Sequence, residues 1–256
     1  MKRTLIILMS YVALSLFCVT NAQDKTQVAD AVYLVPDPQT ARWSYIETDD
    51  KGRQVSTVYY SVESIDGDAV NGNMKLRLEK VPVAYPADTS KSLIFYRFRE
   101  GEYMVDMNAI FEDDLLSSII DEAMAKEESD VSEDEMKVAI EKMRSQFKIT
   151  GEIRGIPRYP KVGKLPDYEF QFKYSIISMR VLGEERRIVG TETLETEAGT
   201  FDCFIMEETI TTKAVMMKEV EKTRSWYAYG IGLVKEATYD KNDKLVSTMI
   251  LNGINW

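Results

Sequence analysis

Along most of the chain apolar and polar residues take turns, the period-two signature of strands with one buried face. Met74, Leu76 and Leu78 alternate with Lys75, Arg77 and Glu79. Tyr168, Phe170, Phe172, Tyr174 and Ile176 alternate with Glu169, Gln171, Lys173 and Ser175. Turn-forming clusters punctuate such runs at residues 49–52, 66–68, 100–101, 197–199 and 240–243. The pattern predicts about a dozen strands, joined mainly as antiparallel hairpins. Between Ile176 and Ile177 the apolar parity switches, to Ile177, Met179 and Val181. That switch predicts a bulge bending one long strand.

Residues 109–148 break the rhythm. Ile110, Phe111, Leu115, Leu116, Ile119, Ile120, Ala123 and Met124 recur at helical spacing, with carboxylates on the opposite face. Ser132 and Glu135 form a capping box for a second helix, whose stripe is Met136, Ala139, Ile140, Met143 and Phe147. The fold class is therefore mainly β: a curved antiparallel sheet or incompletely closed β-barrel with an inserted amphipathic helical hairpin. Strands occupy 40–108 on one side of the hairpin and 149–252 on the other, with a loop at 156–167 between the halves. The hairpin has two apolar stripes to bury, and the concave face of the sheet is the place for them. That face would carry the candidate apolar groove of Met74, Leu76, Leu78, Tyr168, Phe170, Phe172 and Tyr174.

The first residues change the compartment. Lys2 and Arg3 precede an apolar stretch at 4–17, and Thr20, Asn21 and Ala22 supply small residues before Gln23. This is the three-part pattern of a signal peptide at 1–22, too short in its apolar part to anchor in a bilayer. Acylation at Cys18 is the alternative, but Phe17 is a poor residue to precede a lipidated cysteine. The expected mature protein is a single β-rich domain at 23–256, located in the periplasm or associated with the outer membrane. It keeps one cysteine, Cys203, so its stability rests on its core without an internal disulfide. Cys203 shares parity with Phe201 and Ile205, as a buried, unreactive thiol would.

Acidic residues outnumber basic ones, 42 to 32. Residues 112–135 hold eleven acidic residues and one lysine, so the imbalance is local. They read as the solvated outer face of the hairpin, with cation or basic-partner binding as the sharper alternative. No basic footprint for nucleic acid exists. The chain has no histidine, which removes histidine-based triads, histidine-ligated zinc and histidine acid–base catalysis together. No cofactor motif is present, and catalytic sites are expected to be absent.

Weaker signals remain. Ser145 and Lys148 have Ser-x-x-Lys spacing, but at the end of a helix rather than its start. Asp113-Asp114 and Glu207-Glu208 are adjacent carboxylates. Glycoside hydrolysis needs two carboxyls across a cleft, which neighbours on one strand cannot supply; Glu207 and Glu208 read as surface charges. Residues 240–243 lack the glycine and closing glutamate of a calcium loop and form a hairpin turn. Trp226, Tyr227 and Tyr229 before Gly230 and Gly232 suggest a core anchor at a hairpin corner, with a sugar platform as the alternative.

Residues 192–203, with Gly199, Phe201 and Cys203, resemble the hallmark of a TapB-like exported family of unknown function. So do residues 226–236, with Trp226, Gly230 and Gly232, the following hairpin at 239–251, and residues 161–167. The resemblance covers residues 160–252 well and 40–108 more loosely. It implies an open barrel similar to lipoprotein carrier and receptor proteins of the Gram-negative envelope, which hold acyl chains, and it brings no catalytic residues. The expectation is a non-enzymatic envelope protein binding a lipid, another apolar ligand, a lipoprotein or an envelope protein. The alternatives are a carboxylate-dependent hydrolase of envelope polysaccharide and an outer-membrane-integrated barrel invited by Trp256. Against the latter, Asn252 and Gly253 interrupt the terminal pattern and strands such as residues 97–100 lack a lipid-facing band.

Overall fold

The computed structural model describes residues 42–67, 71–99, 102–107, 109–110, 138, 146–174, 177–214 and 217–255. Its strands are β1 (Arg42–Asp49), β2 (Gln54–Gly67), β3 (Gly72–Pro82), β4 (Ser90–Arg99), β5 (Glu102–Val105), β6 (Phe147–Gly151) and β7 (Ile153–Arg154). There follow β8 (Gly163–Lys164), β9 (Tyr168–Tyr174), β10 (Ile177–Thr196), β11 (Gly199–Ala214), β12 (Met217–Ala228), β13 (Gly232–Asp240) and β14 (Leu245–Asn255). They form one sheet in the order β6-β9-β10-β11-β12-β13-β14-β1-β2-β3-β4-β5-β7, with β8 added on β10.

The expected turns at 49–52, 197–199 and 240–243 are where the sequence places them, and two share one device; those at 66–68 and 100–101 reach residues outside the described ones. Asp49 accepts the amides of Lys51 and Arg53 on its carboxylate; Asp240 accepts those of Asn242 and Lys244. Each carboxylate replaces the backbone partners that the reversing chain loses. Gly52 and Asp243 take the left-handed position, with φ of 73° and 62°.

The parity switch near residue 177 has a different cause from the one expected. β9 and β10 are antiparallel neighbours, with Ile177 opposite Tyr174, Met179 opposite Phe172 and Val181 opposite Phe170. The chain reverses there rather than bending through a bulge. A two-residue connection changes parity because the apolar face must match across the hairpin.

The two ends of the sheet are almost the same piece of chain. β6 pairs with β9, β7 pairs with β5, and only Glu152 separates β6 from β7. One strand thus changes partner at Gly151 and nearly closes the sheet into a barrel. Gly151 has φ of 79°, and a Cβ there would lie 1.9 Å from the carbonyl oxygen of Glu169. No other residue fits this joint.

Apolar residues of alternating parity fill the interior, among them Trp43, Tyr45, Val58, Tyr60, Leu76, Ile94, Tyr96, Phe170, Val181 and Leu251. The expected export signal at 1–22, with Cys18, and most of the expected helical hairpin at 109–148 lie outside the described residues. Among the described residues the expected hairpin is not supported: only helical positions starting at Met107, with Ala109 and Ile110, and one at Val138 are present. Asp106 caps that start by accepting the Ala109 amide, and Met107 and Ile110 enter the core. Phe147 and Lys148, assigned to the end of the second helix, instead open β6. The 156–167 loop is less free than a linker: Ile156 is buried, and β8 pairs with Arg187 and Ile188.

Candidate functional site

Met74, Leu76 and Leu78 project from β3 and Tyr168, Phe170, Phe172 and Tyr174 from β9, and the barrel brings the two sets to either side of its closing joint. All are buried except Tyr174, which is half-buried. Tyr96 and Tyr103 continue the lining between them, stacked with ring centroids 4.6 Å apart. The predicted groove residues thus form one aromatic and aliphatic interior wall.

Opposite this wall the interior turns polar, which the sequence pattern did not announce. Strand register lines up Met206, Ser225, Glu236, Met249, Glu47 and Ser56 in a row across β11, β12, β13, β14, β1 and β2. The Ser225 hydroxyl donates to Glu236 Oε2 at 2.8 Å, the Ser56 hydroxyl donates to Glu47, and Lys80 Nζ lies 2.6 Å from Glu47 Oε2. Burial pushes the Glu236 carboxyl up to about 8, countered by the Ser225 hydrogen bond and reinforced by the charges of Glu208, Glu221 and Glu47.

One row further along, Glu208 faces Thr223 and pairs with Arg186 from an irregularity in β10, Nε to Oε2 at 2.9 Å. Both side chains are sealed, at 1% and 0% exposure, so each charge depends on the other. The rest of the guanidinium donates to the carbonyls of Pro166 at 2.7 Å and of Arg154 and Gly155 at 2.8 Å. It also lies 4.9 Å from the centroid of the Tyr168 ring. Arg186 therefore ties the chain on both sides of the 156–167 loop to β10 and β11. Burial pushes the Glu208 carboxyl up while Arg186 draws it back. Burial likewise raises the Tyr168 phenol. Among the described residues, Glu208 Oε1 and the hydroxyls of Thr223 and Tyr168 are buried with no hydrogen-bond partner.

The expectation of a surface charge at Glu208 is thus overturned; Glu207, its neighbour, does face outward and pairs with Arg187 at 2.8 Å. A readable signal existed, since Glu208 shares parity with Met206 and Ile210. Cys203 is buried and free, and burial pushes its thiol up to about 12. Trp226 and Tyr227 are buried at the corner before Gly230 and Gly232, with Trp226 Nε1 donating to Glu192 at 2.7 Å. Lys148 is exposed on β6, while Ser145, Asp113 and Asp114 lie outside the described residues. Among the described residues no group of acidic or cysteine side chains is placed to hold a metal.

An open hollow of about 890 Å³ lies beside the β10 irregularity, bordered by Lys164, Arg187, Glu207, Lys222, Arg224 and Asp243. Its charges satisfy one another, as in Lys222–Asp243 at 2.5 Å, and it contains none of the predicted groove residues.

The family described as DUF3108-like matches residues 38–251, a span that contains the motifs at 161–167, 192–203 and 226–236. No curated protein matches the chain. Two solved structures are similar in fold. One is a protein of Parabacteroides distasonis described as a lipoprotein, 18% identical with a TM-score of 0.57, aligned over 93% of this chain and 99% of its own. The other is a protein of Bacteroides fragilis described as exported and as having a YmcC-like fold, 15% identical with a TM-score of 0.55, aligned over 93% and 98%. With most of its length matched and a nearly closed antiparallel barrel in common with these structures, the chain belongs to the DUF3108-like family.

Proposed function

We propose that this chain is an exported, non-enzymatic envelope protein of the TapB-like branch, whose barrel interior binds an amphiphile. The observation that carries the reading is the division of the interior. Met74, Leu76, Phe170 and Phe172 line one wall, and Glu236, Ser225 and Glu47, the last paired with Lys80 at the end of β3, stand across from it. An acyl chain would lie on the first and a polar head would meet the second. Export is supported by the signal at 1–22 and by the descriptions of the two structural relatives.

What weighs against the polysaccharide-hydrolase alternative is that Glu208 is committed to a buried ion pair with Arg186 rather than left available for acid–base work. The outward faces of β2 and β3 weigh against a lipid-embedded barrel. They carry Glu63, Lys75, Arg77 and Glu79, the first three in mutual ion pairs, where lipid would require an apolar band. Among the described residues no helix is long and apolar enough to cross a membrane.

The test is organic extraction of purified, detergent-free protein followed by mass spectrometry, together with titration of pyrene-labelled palmitate. The expected result is a co-purified acyl species and saturable probe binding. Protein that carries no lipid and takes up no probe would overturn the reading.

A further inference from the structure

Strand register gathers the acidic residues of the interior on one face. On β11 and β12, Glu208 is opposite Thr223 and Ile210 is opposite Glu221, and along β12 Thr223 lies between Glu221 and Ser225. On the other side of β12, Ser225 is opposite Glu236 and Thr223 is opposite Thr238. Tyr168 reaches the same place from β9. Its partner on β10 is Gly183, where a Cβ would collide with Cε1 and Cζ of the Tyr168 ring. The ring therefore lies across Gly183 towards β11, beside the Arg186 guanidinium. Phe172, Phe170 and Tyr168 share one face of β9, so the apolar wall runs directly into a phenol at the edge of the carboxyl cluster.

Charge and hydrogen bonding in this cluster do not close. The cations that reach it are both taken, Arg186 by Glu208 and Lys80 by Glu47. Among the described residues Glu221 and Glu236 pair with no cation, and the one donor to Glu236 is the Ser225 hydroxyl. Glu208 Oε1 and the hydroxyls of Thr223 and Tyr168 also lack partners among the described residues, in side chains that are 3%, 4% and 5% exposed. Packed interiors rarely leave such atoms together. The carboxyls are not placed to hold a metal ion. What the cluster lacks is a positive charge that also donates hydrogen bonds, which is the chemistry of a primary ammonium. A carboxylate or phosphate head would instead find every cation claimed and stand among like charges.

We infer that the polar wall is a subsite for an amine: the amphiphile this barrel takes carries a primary ammonium head, which pairs with Glu236 and hydrogen-bonds within the Glu208, Thr223 and Tyr168 cluster. The inference rests on the proposed binding of an amphiphile and names its head. Burial, then the charges of Glu208, Glu221 and Glu47, favours the protonated Glu236 carboxyl, and an ammonium beside it would let it ionise. A fatty carboxylate still binds through its chain, more weakly.

A head-group series tests it. Decylamine, decanol and decanoate share one chain, and each is titrated calorimetrically into detergent-free protein at neutral pH and physiological salt, below its micellar concentration. Decylamine is expected to bind at least about tenfold more tightly than the other two, and Glu236→Gln to bring it within about threefold of decanol. Decanol or decanoate binding as tightly as decylamine overturns the amine subsite while leaving interior binding intact; the unpartnered atoms are then merely hydrated. An amine preference that survives Glu236→Gln also overturns it, because the acidic outer surface then supplies the attraction. If none of the three binds, the amphiphile reading and the subsite fall together.

Discussion

The two interior walls are built on opposite terms. The wall of β3, β4 and β9 is secured by volume: Phe170, Leu76 and Ile94 are fully buried, and each contributes by keeping apolar surface from water. The wall of β11, β12, β13 and β1 is secured by partners. Arg186 is matched to Glu208 and Lys80 to Glu47, whereas burial among other carboxylates favours a neutral Glu236. A loss on the first wall leaves a cavity, and a loss on the second leaves a polar group or charge stranded in a poor solvent.

Arg186→Ala and Phe170→Ala put this contrast to its hardest test. Each is expected to destabilise the protein by about 3–5 kcal/mol in denaturant titration. The two losses differ in whether a second substitution can repair them. Arg186→Met/Glu208→Met should recover much of the loss of Arg186→Ala, because removing both charges leaves neither stranded. If the double variant is no more stable than Arg186→Ala, the account of the polar wall is wrong. Cys203→Ser should cost about 1–3 kcal/mol by burying a hydroxyl, and the native thiol should resist labelling. Rapid modification in the folded state would contradict its burial.

Glu236→Gln has a smaller effect with a distinctive sign. The folded carboxyl titrates near 8 against an ordinary 4.5, so the folded state holds its proton more tightly than the unfolded chain. Stability from this group is full below the ordinary carboxylate range and falls as pH rises towards about 8. Glu236→Gln should flatten that fall and leave the variant about 1–2 kcal/mol more stable than the native protein in mildly alkaline buffer. An unchanged pH profile would assign the slope elsewhere, to the buried carboxyls of Glu208 and Glu221, which burial also pushes up. Least of all, Lys222→Ala in the outer hollow should shift stability by no more than about 0.5 kcal/mol, as its partner Asp243 is well exposed.

The apolar wall was legible because alternation reports burial directly: Met74, Leu76, Phe170 and Phe172 all point inward as their spacing implies. The turns at 49–52 and 240–243 were legible because an aspartate that can replace lost backbone partners leaves a local mark. Other features were not. At residues 176–177 a bulge and a tight reversal produce the same parity change, and only the partner strand distinguishes them. Glu208 looked like surface because carboxylates usually are; its matching cation lies 22 residues away, with no fixed spacing to announce it. Phe147 fitted the helical stripe and is nonetheless in β6, since a single apolar residue at a boundary suits either period. The joint at Gly151 left only a glycine, and the sequence contains 13 of those.

The pairing of β1 with β14 bears on how the molecule is made. Ser44 and Gly253, which share a hydrogen bond, are 209 residues apart, and the β1–β14 ladder stands at the middle of the sheet order rather than at its margin. A chain made from its amino end delivers β1 early and β14 last. Until then β1 has a bare edge and the two halves of the sheet have no common ladder. Contacts so distant in sequence form slowly, and unpaired edges invite wrong partners while they wait. This barrel is therefore committed to a late assembly step, and a holding chaperone should raise its folded yield more than that of a barrel built from local hairpins alone.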